Sequence, residues 1–104
     1  MEITRTLATY GASLRFEQIP PGIVRVAEER ILDNLGAAFA GVSYWPYASA
    51  LLKALPADGS AGVFAQRGKG YACLDAVFLN SALAHAAELD DGHKNAGCHA
   101  GAVV

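Results

Sequence analysis

The chain has 104 residues, 53% of them apolar, which is enough for one small core and too little for two ordinary domains. Its formal charge of −2 comes from charges scattered along the sequence, so nothing supports nucleic-acid binding, and no nucleic-acid partner is expected. No apolar stretch reaches the roughly 18 to 20 residues of a membrane span, and Glu2 stands where a secretory signal would carry positive charge; no membrane partner and a cytoplasmic location are the expectations.

Abundant alanine and few β-branched residues favour helices, and the class reads as mainly α. Ile3, Leu7, Ala8 and Leu14 recur at helical intervals and predict a first amphipathic helix. Ile19-Pro20-Pro21 stops it, because the residue before a proline is pushed out of the α region, and Pro21 suits the first turn of a second helix. Ile23, Val24, Ala27, Ile31, Leu32, Leu35, Ala38 and Phe39 then form one stripe of a long helix, with Gly41 suited to its C-terminal cap. Pro46 to Leu55 reads as a third helix and Pro56 to Gly62 as a surface turn. Residues 62–66 read as a short extended piece leading into Gln66-Arg67-Gly68-Lys69-Gly70. Those glycines and cations match neither phosphate-binding pattern, so a solvated loop is expected.

From Cys73 to Leu89 nearly every position is apolar, with Asp75 in the first turn where its charge complements the helix dipole. Such a helix is expected to be buried on most sides, and the other predicted helices are too few to surround it; the chain is therefore expected to be part of a larger domain. The final run His99-Ala100-Gly101-Ala102-Val103-Val104 reads as the start of a further helix without a cap. Cys73 and Cys98, 25 residues apart, lack paired zinc-site spacing and are expected to be reduced, buried thiols.

Chemistry concentrates in Ala84-His85-Ala86-Ala87-Glu88-Leu89-Asp90-Asp91-Gly92-His93, which holds three carboxylates and two imidazoles within ten residues at the end of the most apolar helix. Carboxylates face the negative end of the dipole there and are unfavourable by roughly 0.3 to 1 kcal/mol each unless compensated. His85 and Glu88 are i, i+3 neighbours, and Asp90, Asp91, His93 and His99 belong to the exit and the following loop. Three blander readings stand beside a site: Asp90-Asp91-Gly92 as a polar turn, His85 as a hydrogen-bonded core histidine, and Lys94 as a solvated charge. A metal centre from Asp90, Asp91, His93 and His99 has no supporting ligand spacing, and no metal is expected.

Four segments, in order along the chain, carry a resemblance. LRFEQIPP (14–21), AEERILDNLGAAFAG (27–41), DAVFLNSALAHAAELDDGH (75–93) and HAGAVV (99–104) resemble the motifs of the MmgE/PrpD family, the 2-methylcitrate dehydratase and cis-aconitate decarboxylase group. The resemblance implies that residues 1–104 form an incomplete, all-helical N-terminal domain of a longer, homodimeric enzyme, and that this chain alone is inactive. It also implies a lyase without cofactor, acting on a small di- or tricarboxylic acid by moving a proton next to a carboxylate. An isomerase or epimerase of the same superfamily, and a noncatalytic helical interaction module, are the alternatives.

Residue by residue, the family's pocket histidine matches His99 and its second DD aspartate matches Asp91, which makes these the catalytic candidates. Glu88, Asp90 and His93 are the substrate-binding candidates. Glu88 replaces the family's usual Asp, Gly92 its Thr and Ala100 its Pro, so the natural substrate is left open. An imidazole, with a reference pKa of about 6.5, suits proton transfer near neutral pH.

Overall fold

The computed structural model describes residues 2–103. Glu2–Ser13 forms α1, in which the Thr6 hydroxyl donates to the Glu2 carbonyl (2.9 Å). None of its residues is buried, and Ile3, Leu7 and Tyr10 stay exposed, so the predicted amphipathic stripe meets no other helix. Gln18 Oε1 accepts the Arg15 amide (2.8 Å) and closes the single turn Phe16–Gln18 before the prolines. The long helix α2 (Pro21–Tyr44) starts at Pro21 as the proline pair requires, and the Pro20 carbonyl accepts the amides of Ile23 and Val24.

Gly41 does not end α2. The helix runs on to Tyr44, and the Trp45 amide returns to the Gly41 carbonyl (3.1 Å). Gly41 serves instead where α2 crosses α4 (Cys73–His85): a Cβ at this position would run into the Leu83 backbone carbonyl. Buried Ala37 and Ala38 on α2 keep the same face small, and α2 packs against α4 more extensively than any other pair of elements. Close backbone approach, not capping, accounts for the glycine.

Helix α3 (Ala48–Ala54) is shorter than the segment delimited by Pro46 and Pro56 and lies against both α2 and α4. Ala48, Val63, Tyr71, Ala76, Leu79 and Leu83 form the core cluster, surrounded by Val42, Trp45, Leu51, Leu52, Leu55 and Ala61. The extended element expected at 62–66 lies earlier and is shorter. Ala61 and Tyr71 exchange both backbone hydrogen bonds (3.0 and 2.9 Å) as an isolated antiparallel bridge, while residues 63–66 turn, with Ala65 at φ +58°. From α4, Asn80 clamps this loop: its Oδ1 accepts the Phe64 amide (2.9 Å) and its Nδ2 donates to the Gly62 carbonyl (3.1 Å). Residues 67–69 are exposed, as a solvated loop should be.

Helix α4 ends at His85 rather than Leu89, because the chain turns at once: the Glu88 amide returns to the His85 carbonyl (2.9 Å) and Glu88 takes φ +50°. Nor is α4 buried on most sides. Ala76, Leu79, Leu83 and Ala84 are buried, whereas Leu74, Val77 and Phe78 are exposed. Cys73 and Cys98 are free and exposed, correcting the expectation of buried thiols. The short helix α5 (Ala100–Val103) then returns to pack on α2 and α4.

Candidate active site

Every candidate residue lies on the segment that leaves α4 and returns as α5. Glu88 occupies the left-handed turn just after α4, exposed to solvent, and its side chain makes no hydrogen bond among the described residues. The break in the helix also removes the i, i+3 relation between His85 and Glu88 that a continuous helix would give.

Asp90 and Asp91 are neighbours in sequence with separate tasks. The Asp90 side chain has no exposed surface. Its Oδ1 and Oδ2 lie 3.1 and 3.2 Å from His85 Nδ1, and Oδ2 lies 3.2 Å from His99 Nδ1. The two imidazole rings face each other at 4.5 Å between centroids, with their side chains 49% and 44% exposed. One buried carboxylate thus sits between two solvent-accessible imidazoles. His85 is hydrogen-bonded as expected, but it stands at this open cluster and not inside the helix core.

Asp91 turns to the backbone. Its Oδ1 accepts the Gly101 amide at the start of α5 (2.8 Å) and meets Asn34 Nδ2 of α2 (3.4 Å). The Gly101 hydrogen bond, the largest effect, holds the Asp91 carboxyl below its ordinary value of 3.8; burial opposes it as the next largest, and the Asn34 amide and the positive charge of Arg30 add smaller lowering effects. A Cβ at residue 101 would run into the Asn34 and Asp91 side chains, so any larger residue here would have to displace this pair. Asp91 is therefore in no direct contact with His99; it fixes the backbone two residues beyond it. Direct contact with His99 belongs to Asp90.

His93 lies apart from both imidazoles as a loop-closing residue. Its amide donates to the Cys98 carbonyl (2.8 Å), and its Nδ1 accepts the Ala96 amide (3.1 Å). Asp91 and His93 are taken up by backbone contacts, and the residues whose ligand atoms come within 4.8 Å of one another are His85, Asp90 and His99. The His85–Asp90 contacts at 3.1 and 3.2 Å are those of a hydrogen-bonded imidazole–carboxylate pair, whereas His99 Nδ1 stands 3.2 Å from Oδ2 as an ion-pair neighbour without hydrogen-bond geometry.

Beside Asp91, α2, α4 and α5 border a half-open pocket of about 690 Å³. Most of its wall is apolar, from Ile31, Leu35, Phe64 and Val77 among others, and Arg30 is the cation on it. Asn34 also lines it, and Asn34 Oδ1 is buried without a hydrogen-bond partner among the described residues. Neither His85 nor His99 reaches this wall.

Residues 5–104 match the model of the MmgE/PrpD N-terminal domain. The chain belongs to the MmgE/PrpD family. The match covers nearly all of the sequence, including the four motif segments and every candidate residue. The helical architecture agrees with this N-terminal domain, and among the described residues no helix is long and apolar enough to cross a membrane. No curated protein matches the chain. No solved structure matches it either.

Sequence reasoning singled out His99 and the acidic pair and missed three residues. Asn34 and Gly101 meet Asp91 where the site segment enters α5, and Asn80 clamps the neighbouring loop at Gly62 and Phe64. All three lie inside the motif segments, which was their only signal. Nothing in local periodicity distinguishes an asparagine that clamps a loop from one that is solvated.

Proposed function

We propose that this chain contributes the acid–base residues of a cofactor-independent MmgE/PrpD-type lyase that dehydrates or decarboxylates a small di- or tricarboxylic acid. The observation that supports it is the His85–Asp90–His99 cluster, in which His99 lies half exposed against a carboxylate with no exposed surface. A general base needs a lone pair within reach of the substrate and a ring that cannot turn away; a carboxylate on one ring nitrogen supplies the second condition. His99 is the proton-transfer residue in this reading. Asp91, through the Gly101 amide, sets where the backbone carrying His99 begins α5. Glu88 stands exposed at the turn, where it can meet substrate.

The exposed apolar residues of α1, α2 and α4 favour a chain that works in contact with further protein, as one domain of a longer enzyme and as a homodimer. The deciding experiment incubates an enzyme form containing this sequence with 2-methylcitrate, cis-aconitate and amino-dicarboxylates and follows each by NMR. Loss of water or carbon dioxide from a tricarboxylate, abolished by His99→Ala, is the expected result. Epimerisation without loss of either would overturn the lyase reading.

A further inference from the structure

Asp90 entered as one of three substrate-binding candidates, yet its surroundings suit a different task. A side chain with no exposed surface cannot easily be a substrate contact, and a buried carboxylate must be paired to be tolerated. The partners available are the two imidazoles, and each presents the same atom. Nδ1 of His85 lies 3.1 Å from Oδ1 and Nδ1 of His99 lies 3.2 Å from Oδ2. A carboxylate can only accept, so the His85 ring must carry its proton on Nδ1 to hydrogen-bond it. His99 Nδ1 faces Oδ2 at ion-pair distance without hydrogen-bond geometry, and there a lone pair on Nδ1 would be repelled by the anion, which favours the proton on Nδ1 as well. An isolated neutral histidine prefers its proton on Nε2, and the carboxylate reverses that preference.

The geometry points to Asp90 as the positioning residue of the site, holding His85 and His99 in the Nδ1–H form so that each directs an Nε2 lone pair away from the carboxylate. His85 thereby joins His99 as a second candidate proton carrier on the same anchor. This rests on the lyase reading for its use, not for its chemistry. When Nε2 of either ring takes a proton from a substrate carbon, the ring becomes an imidazolium, its Nδ1–H stays on Asp90, and the electron pair of the broken C–H bond remains with the substrate. The positive charge then faces an anion already in place.

Other charged and titratable groups on the segment do not compete for this role. Asp91 is committed to the Gly101 amide, and Glu88 forms no side-chain hydrogen bond among the described residues. His93 provides an internal contrast, because its Nδ1 accepts the Ala96 amide and its proton must therefore sit on Nε2.

Long-range ¹H–¹⁵N correlation of the imidazole nitrogens in the ¹⁵N-labelled 104-residue chain, at a pH where the rings are neutral, reads all three tautomers at once. The expected spectrum shows Nδ1–H for His85 and His99 and Nε2–H for His93. Asp90→Asn offers an amide N–H to the rings and should turn His99 mostly to Nε2–H while His93 keeps its pattern; Asp90→Glu should retain Nδ1–H at one ring or both. A wild-type spectrum with Nε2–H at His99, or an Asp90→Asn spectrum unchanged at both rings with His93 intact, overturns the proposal. The wild-type spectrum decides it even if the Asn variant fails to fold. Because no turnover enters the measurement, a correct spectrum from an inactive protein would refute the lyase reading alone.

Discussion

The seam between α2 and α4 and the segment from Ala86 to Val103 are held together by different physics. In the seam, Ala37, Ala38 and Gly41 let the α4 backbone come close, and Leu79 and Leu83 are fully buried against the neighbouring core. Many weak apolar contacts share that work, and no single one has a required direction. The later segment buries almost nothing. It is tied by a few directed contacts: Asp90 hydrogen-bonded to His85 and charge-paired beside His99, Asp91 to the Gly101 amide and Asn34, and His93 to Cys98 and Ala96. The scaffold is thus robust and chemically silent, whereas the site is assembled from bonds that can be cut singly.

Cutting one of them at the reacting group should have the largest effect. In an enzyme form that turns over substrate, His99→Ala should lower kcat by about 10² to 10⁴ while helix content by circular dichroism stays unchanged. Full activity in that variant, together with loss of activity in His85→Ala, would exchange the roles of the two histidines. The structure now makes that exchange physically reasonable, since both rings meet one carboxylate.

In the seam the measurable quantity is stability. Leu83 has no exposed surface, and Leu83→Ala should cost about 2 to 5 kcal/mol in the chain's unfolding free energy, read by urea titration. Gly41→Ala should cost about 1 to 3 kcal/mol, because the added methyl meets the Leu83 carbonyl, which belongs to a helix backbone and cannot step aside as a side chain could. If both variants unfold at the wild-type midpoint, α2 and α4 do not pack through this face. Asn80→Ala sits between the two regimes. It removes the partner of the part-buried Phe64 amide and leaves the exposed Gly62 carbonyl to water, at about 0.5 to 1.5 kcal/mol, and faster hydrogen exchange should be confined to residues 61–71.

The same division explains what could be read from the sequence. Helical periodicity and the proline pair located α1 and α2, and a nearly continuous apolar run located the start of α4. In the sequence Gly41 resembles a cap, since a glycine near a helix end and a glycine at a helix crossing look alike until the second helix is present. The end of α4 was placed four residues late, at Leu89 in place of His85, because the left-handed turn falls on Glu88, a residue type with no turn signature. Within the site, the residues were legible through family motifs and their wiring was not. Asp90 and Asp91 are identical in type and adjacent, and only three-dimensional placement sends one to the imidazoles and the other to a backbone amide.

Asp91 gives the smallest effect and the clearest test of that wiring. Its carboxyl lies below the ordinary 3.8 because the charged form accepts the Gly101 amide, with lesser help from Asn34 and Arg30. A carboxyl depressed on folding contributes stability that is fully present above its unfolded value and is lost as pH falls through the folded one. Docking of α5 should therefore be unchanged from neutral pH down to about pH 5 and weaken below roughly pH 4, as protonation removes the charge on the acceptor. Amide exchange at Gly101 reports this directly: it should accelerate across that acid range in the wild type, relative to amides in the α2–α4 seam. Asp91→Asn keeps an acceptor oxygen but no charge, so Gly101 exchange in that variant should be faster at neutral pH and lose its acid dependence. Identical acid profiles for Gly101 in the two proteins would mean that the Asp91 charge does not hold α5, and that the backbone following His99 is set by apolar contacts with α2 and α4 instead.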